Sequence, residues 1–505
     1  MRTREQLLIA ETVSLWQVVN CIFRIWAAAH AAGMATRRTP AGTRYADIAE
    51  RLERALRGGI YRPGARLPSV RSLCRTWNAS ITTVVAAYSL LERRGLVEAR
   101  AQSGHYALAP GAPEPVVERT RLVPTDVGLG QLALLVMKDA RDPRLAPFGP
   151  AMPDPDLLPN RELRRILATV ARAGAGLDAY GVPPGLDTLR TAVARRAAAI
   201  GCPLRADGIV TTAGGLEALT LALRATCRAG QTVAIESPMY YGLLQSIEAL
   251  GLRVIEIPGH PRQGISLEVL REALDEYPIA AVVAMPAGSS PLGGRAGEES
   301  TRELVELLAA RQVPLIEDDV LGDLALDGVR QPPAKAFDRC GLVLWCSSLS
   351  KTAAPGLRVG WIAAGRFQAV VEHLQFTNAV GPSPLNQQVA AGLLEGGLYE
   401  RVLRRARSAY AARTAAMAEA VLAAFPAGTR VSQPAVGFSL WVELPSDADA
   451  QTIYAAALRD GIALTPGPLF SAKLRYRHAI RLCASRWGES WRPALQRLSR
   501  LIARR

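Results

Sequence analysis

Only four lysines occur among the 60 basic residues of this 505-residue chain: Lys138, Lys335, Lys351 and Lys473. Any chemistry that needs an amine therefore has four candidates. Lys351 stands apart, in "CSSLSKTAAPGLRVGW". It follows an apolar run, sits among small hydroxyl residues, and has Arg358 seven positions later. The other reading is an exposed surface amine, but surface lysines usually lie among charges on solvated helix faces, and this chain mostly uses arginine there. An amine in a Ser- and Gly-rich loop, near an arginine able to hold a phosphate, suits a Schiff base with a phosphorylated aldehyde. Asp318, in "PLIEDDVLGDL", follows a second apolar run. A carboxylate there can hold the proton of a pyridinium nitrogen and strengthen the ring as an electron sink. Thr212-Ala213-Gly214-Gly215-Leu216 joins a strand-like run to a helical one. Backbone N–H groups at such a helix start can cradle a phosphate, although many strand–helix turns carry a glycine pair.

These residues need a frame that brings them together. From about Phe148, apolar strand-like runs (208–212, 232–236, 253–257, 280–285, 313–317 and 342–346) alternate with helical stretches such as 216–228, 241–250 and 301–311. That alternation predicts an α/β domain with a mostly parallel sheet. Ligands bind such sheets at the carboxyl ends of the strands, where the suggestive residues fall.

Residues 44–110 carry a different pattern. Ile48, Leu52 and Leu56 recur at helical spacing until Gly58-Gly59, and Pro63-Gly64 makes a turn. A second helix opens at Leu67-Pro68-Ser69 and runs to about Trp77. Ser80 is placed as N-cap of a third helix, which has Val84, Tyr88 and Leu91 on one face and ends at Gly95. Leu96–Arg100 and His105–Leu108 read as a small hairpin around Gln102-Ser103-Gly104. This order is that of an α+β winged helix-turn-helix, a DNA-reading unit. From Met34 to Pro110 there are thirteen arginines, no lysine and five acids, a net +8 that suits phosphate binding. A helical hairpin used for protein contacts is the other reading.

Composition bounds both parts. With 49% apolar and 21% charged residues the chain is an ordinary globular protein and not a disordered one. The formal charge of +15 suggests a polyanionic partner. Seven scattered cysteines without a CxxC pair, and five dispersed histidines, argue against a disulfide framework or a structural metal and favour a reducing cytoplasm. The apolar stretch Leu7–Ala32 invites reading as a signal peptide or a membrane span, but Glu11, Gln17, Asn20, Arg24 and His30 interrupt it, so no run of about 18 uncharged apolar residues exists. Residues 1–43 read as an N-terminal extension, either an amphipathic helix or the product of a mis-assigned start with Met34 as the true one. Residues 111–145 read as a mostly extended linker, and 146–505 as the second domain.

The segment "YRPGARLPSVRSLCRTWNASITTVVAAYSLLERRGLVEARAQSGHYAL" closely resembles the GntR family of bacterial transcription regulators. The resemblance implies that Arg71, Ser80, Thr82, Thr83 and the wing around Gly104 face operator DNA. Where that family usually has arginine after the Ser80 position, this chain has Ile81, which predicts a different base preference. The second domain resembles the fold-type-I aminotransferases that use pyridoxal 5'-phosphate (PLP), through "YGVPPGLDTLRTAVARR", "ESPMYYG", "SKTAAPGLRVGW" and "HAIRL". By that resemblance Lys351 forms the aldimine and Asp318 pairs with the ring nitrogen. Tyr240 stacks on the ring, and Arg358 with the backbone N–H groups of Gly215 and Leu216 holds the phosphate. Tyr180 reaches from a second subunit, and Arg481 binds a substrate carboxylate. A GntR-type head on an aminotransferase-like body is the MocR arrangement, whose members are PLP-responsive transcription regulators, and Tyr180 serving a partner's phosphate site predicts a homodimer.

The body departs from the family pattern at informative places. The asparagine that bonds the PLP phenolic oxygen is here Ser290, a tyrosine that bonds the same oxygen is Leu321, and Leu216 replaces a polar residue beside the phosphate. Either Tyr241 or a water substitutes for the lost donors, or the body keeps PLP but has drifted from turnover; the second reading is preferred. The sequence therefore predicts a cytoplasmic, PLP-responsive regulator sensing PLP or an amino compound. An active aminotransferase with an accessory DNA-binding head is the alternative. A body that has lost PLP and serves only for dimerisation is a third.

Overall fold

The computed structural model describes residues 44–57, 60–61, 64–94, 96–100, 104–107, 122–128, 132–139, 142–174, 178–260, 264–445 and 447–503. The extension 1–43 and the Gly58-Gly59, Gly95 and Gln102-Ser103 turns lie outside them. Contacts divide the described chain into two compact units, 44–50 with 70–90 and 51–69 with 91–503.

The first unit holds the start of helix α1 (Arg44–Arg57), all of α2 (Val70–Trp77) and most of α3 (Ile81–Arg93). Three residues separate α2 from α3, and Asn78 turns the chain there in the left-handed region (φ 47°), which asparagine tolerates better than most residues. Ser80 caps α3: its Oγ accepts the N–H of Thr83 at 3.2 Å. Helical spacing decides what α3 buries, namely Val84, Ala87, Tyr88 and Leu91.

In the second unit the expected hairpin forms from β1 (Val97–Arg100) and β2 (Gly104–Ala107), paired antiparallel with Val97 opposite Ala107. The stretch Gly64–Leu67 lies along the other edge of β2 through Gly64 N–H to Ala107 O (2.8 Å) and Leu67 N–H to His105 O (2.8 Å).

The large sheet of this unit is built from β3 (Thr125–Asp126), β4 (Val210–Thr212), β5 (Thr232–Ser237), β6 (Arg253–His260), β7 (Ile279–Ala284), β8 (Leu315–Asp318), β9 (Val343–Ser348) and β10 (Gly360–Ala363). They are hydrogen-bonded in the order β3-β6-β5-β7-β8-β9-β10-β4. Neighbours from β6 through β9 are parallel, while β10 and the edge strand β3 run antiparallel to theirs. The strands alternate between two cores. Val233, Ile235, Val283 and Leu344 face one that includes α5 (Gly215–Thr226) and α6 (Tyr241–Ala249). Ala234, Val282, Ala284 and Val343 face another with helices Leu267–Glu276 and Glu298–Ala310. Burial on both faces explains why these strands are apolar throughout. A smaller antiparallel sheet, β11 (Arg430–Val431), β12 (Ser439–Glu443), β14 (Ala479–Cys483) and β13 (Thr465–Pro466) in that order, packs on helix α7 (Leu398–Ala424).

Part of the expected linker belongs to this body. Thr125 and Asp126 pair with Val254 and Arg253 at the sheet edge. Helix α4 (Leu132–Asp139) buries Ala133 and Val136 in the same core as α5. Tyr277 Oη donates to Leu122 O at 2.8 Å and Arg253 Nη2 to Pro124 O at 2.9 Å. A two-residue edge strand is held mainly by backbone bonds, and α4 buries only two residues, so neither leaves a strong periodic pattern.

Candidate functional site

One cavity of about 140 Å³ opens at the carboxyl ends of the parallel strands. Asp318 is the last residue of β8, and Lys351 comes three residues after β9. Tyr240 follows β5 by three residues, and Arg358 precedes the antiparallel β10 by two, which places it at the same end. These four line the cavity with Gly215, Leu216, Ser290, Leu321 and Arg481. Residues far apart in the sequence thus converge on one space.

Lys351 is partly buried, and its Nζ donates to Ala151 O at 2.7 Å. Burial, then the guanidinium of Arg481, push the amine down to about 8, against the smaller opposing effects of Cys483 and Asp318. Asp318 is 2% exposed, and burial pushes its carboxyl up to about 7, although Oδ1 accepts the N–H of Val320 at 3.3 Å. A buried amine whose charge is disfavoured and a buried carboxyl near neutrality are groups fitted to proton exchange at ordinary pH.

The glycine pair has a steric reason. Gly214 has φ +109°, and a Cβ there would lie 2.5 Å from Arg358 Nη2. A Cβ on Gly215 would lie 2.9 Å from Val320 Cγ1. The positive φ disfavours a side chain at Gly214, Val320 leaves no room for one at Gly215, and Gly215 and Leu216 line the cavity at the start of α5. Arg358 itself is in the left-handed region (φ 51°), with Nη1 donating to Ser350 Oγ at 3.0 Å and Nη2 to Ala213 O at 3.3 Å. That unusual backbone marks a position fixed by its surroundings.

Arg481 is 1% exposed. On β14 it alternates with Ile480 and Leu482, which enter the core of the small sheet, so its own side chain takes the opposite face. Its Nη2 donates to Thr465 Oγ1 at 2.8 Å and to Gly149 O, while Nε has no partner. A buried N–H without an acceptor beside a cavity is an opening for an anionic ligand.

Tyr180 does not line the cavity and is 87% exposed. Tyr241 does not line it either. Its hydroxyl donates to Met137 Sδ at 3.0 Å, so it does not replace the donors lost at Ser290 and Leu321. Sequence reasoning does not single out Ser348 and Ser350, which also line the cavity; the hydroxyl-rich run around Lys351 is the available signal. Nor does it find Val436, Gly437 and Phe438, which arrive from the small-sheet region and carry no motif. Among the described residues no helix is long and apolar enough to cross a membrane, and no group of three His, Cys, Asp or Glu side chains is placed to hold a metal.

Such a sheet, with an amine, a carboxyl, a guanidinium and a glycine cradle at its carboxyl ends, is a fold-type-I aminotransferase-like domain. Residues 154–498 match the family described as aminotransferase class I and II, and residues 44–106 match the bacterial regulatory proteins of the gntR family. The chain is 38% identical to the uncharacterized HTH-type transcriptional regulator YdcR and 35% identical to YjiR, of the same description, both from Escherichia coli strain K12. Each comparison covers 92% of this chain and 99% of the relative. The crystal structure of LysN, an α-aminoadipate aminotransferase from Thermus thermophilus complexed with N-(5'-phosphopyridoxyl)-L-leucine, matches with a TM-score of 0.67. Its identity is 25%, over 73% of this chain and 94% of that one. The chain belongs to the MocR-type branch of the GntR family, in which a GntR head precedes a class I and II aminotransferase body.

Proposed function

We propose that this protein is a DNA-binding transcription regulator whose body takes PLP and reads PLP itself or an amino compound. The observation that carries the reading is the union, in one chain, of a GntR-matching head with a cavity holding Lys351, Asp318, Arg358 and the Gly214-Gly215 turn. That donor set fits PLP. Lys351 would take the aldehyde, Asp318 would face the ring nitrogen, and Tyr240 would cover the ring. Arg358 with the N–H groups of Gly215 and Leu216 would hold the phosphate. Ser290 would stand near the phenolic oxygen, and Tyr180 would come from a second copy of the chain. PLP, when bound, supplies an aldehyde that amines can add to and a ring that draws electrons. The protein's own contribution is to keep the Lys351 amine partly neutral, to hold a proton at Asp318, and to leave Arg481 Nε open to a carboxylate. In the head, Arg71, Ser80, Thr82, Thr83 and Gly104 would meet double-stranded operator DNA, in a dimer that works in the cytoplasm. Domain limits of 44–110 for the head and 146–505 for the body, extended by residues 122–139, describe this division of labour.

The test is a visible absorption spectrum of the purified protein with PLP, read beside an assay with L-amino acid donors and keto acids. The proposal expects a band that borohydride bleaches, that Lys351→Ala lacks, and that is accompanied by no multiple-turnover amino transfer. Absence of the band, or sustained turnover, would contradict it.

A further inference from the structure

The front of α3 presents aliphatic side chains to solvent. Ile81 is 61% exposed and Val85, one helical turn later, is 44% exposed. Val84, Ala87 and Tyr88 take the buried face, so packing within the unit does not require Ile81 or Val85. Their neighbours on the same turn are hydroxyl residues already committed to each other. Ser80 Oγ lies 2.8 Å from Thr82 Oγ1 and 2.7 Å from Thr83 Oγ1, and it accepts the N–H of Thr83. No lysine or arginine occurs in α3 before its last residue, Arg93. This helix therefore lacks, along its first turns, the long cation that reads guanine through O6 and N7. Charge is supplied next door, since Arg71 and Arg75 are exposed on α2, which contains no acid.

Resting on the DNA-binding reading above, we propose that Ile81 and Val85 form an apolar reading edge for thymine 5-methyl groups in the major groove. The methyl group is the one apolar feature that base pairs display there. Two exposed β-branched side chains, hydroxyls bonded to one another at the helix cap, and flanking arginines that suit phosphates match that target and not guanine. The operator position facing this turn is then a thymine. Ile81 and Val85 act as specificity residues, while Arg71 and Arg75 add affinity without sequence preference.

The experiment selects sites from a randomised duplex library with the full-length protein carrying PLP. Each thymine of the best site is then replaced in turn by deoxyuridine, which removes only the methyl. Burying one such group is worth a factor of about four in affinity. The wild type should lose roughly two- to fivefold at one or two positions. Ile81→Ala or Val85→Ala should bind the thymine and uracil duplexes equally well at those positions, whatever their overall affinity. The assignment is overturned if uracil changes affinity nowhere, or if the thymine preference survives in both variants. Failure to retain any duplex would overturn the DNA-binding reading itself, and this assignment with it.

Discussion

Lys351 is surrounded by influences that disfavour its charge, first burial and then Arg481, and these bring the amine to about 8. An ordinary lysine near 10.4 has less than a thousandth of its amine neutral at pH 7, whereas a group near 8 has about a tenth. Only the neutral amine can attack an aldehyde. The rate at which the protein captures PLP should therefore climb about tenfold per pH unit below 7 and level off above about pH 8.5. Stopped-flow absorbance across pH 6–10 checks this, and a rate still climbing tenfold per unit at pH 9.5 would show an unperturbed lysine. Single residues are the most legible part of the sequence, because Lys351, Asp318, Arg358 and Arg481 each sit in a short motif that fixes type and spacing. Gly437 and Phe438 are not legible. They reach the cavity only because the small sheet docks beside the large one, and no local pattern encodes that approach.

Behind the cavity wall, strand β8 and the turn after β9 are tied by buried polar groups. Asp319 Oδ2 accepts Trp345 Nε1 at 2.7 Å and pairs with Arg330. Arg330 Nε bonds Asp323 Oδ1 at 3.0 Å, and Asp323 Oδ2 accepts Tyr399 Oη at 2.8 Å. Tyr399 Oη lies 2.9 Å from Thr352 Oγ1, the neighbour of Lys351. Burial works against the Asp323 charge, but Arg196 and Arg330 outweigh it and hold the carboxyl well below the usual range. Burial pushes Asp319 up despite Arg330. Arg330→Met takes from buried Asp319 its cation, while Asp323 keeps Arg196, a loss expected to be about 3–5 kcal/mol. The sign with pH follows from linkage. Burial already holds Asp319 above its unfolded value and loss of Arg330 raises it further, so the deficit is full above that raised value and fades as pH falls below it. Urea unfolding at pH 8 and pH 5 should show the larger deficit at pH 8; equal deficits would mean that charge is not the cause. Among the elements, the apolar strands are plain in the sequence, because strands buried on both faces are apolar throughout. Strand β3 and helix α4 are hidden, since their attachment depends on backbone bonds and two buried residues.

For the whole molecule, the head's surplus of arginine and the cavity in the body are separate observations, and the proposed function joins them: the body's ligand changes how the head meets DNA. A polyanion neutralised by several arginines is bound less tightly as salt rises, because counterions are released. If Tyr180 of a second copy completes the cavity, as proposed, the 54.0 kDa chain should sediment at about twice that mass. The most direct measurement is fluorescence anisotropy of the full-length protein on a labelled duplex taken from upstream of its own coding sequence, titrated at two salt concentrations with and without PLP. A PLP-responsive regulator should show binding that weakens steeply with salt, an affinity that shifts when PLP is added, and no PLP shift in Lys351→Ala. Salt-independent binding, no binding, or a PLP shift that persists without Lys351 would contradict it.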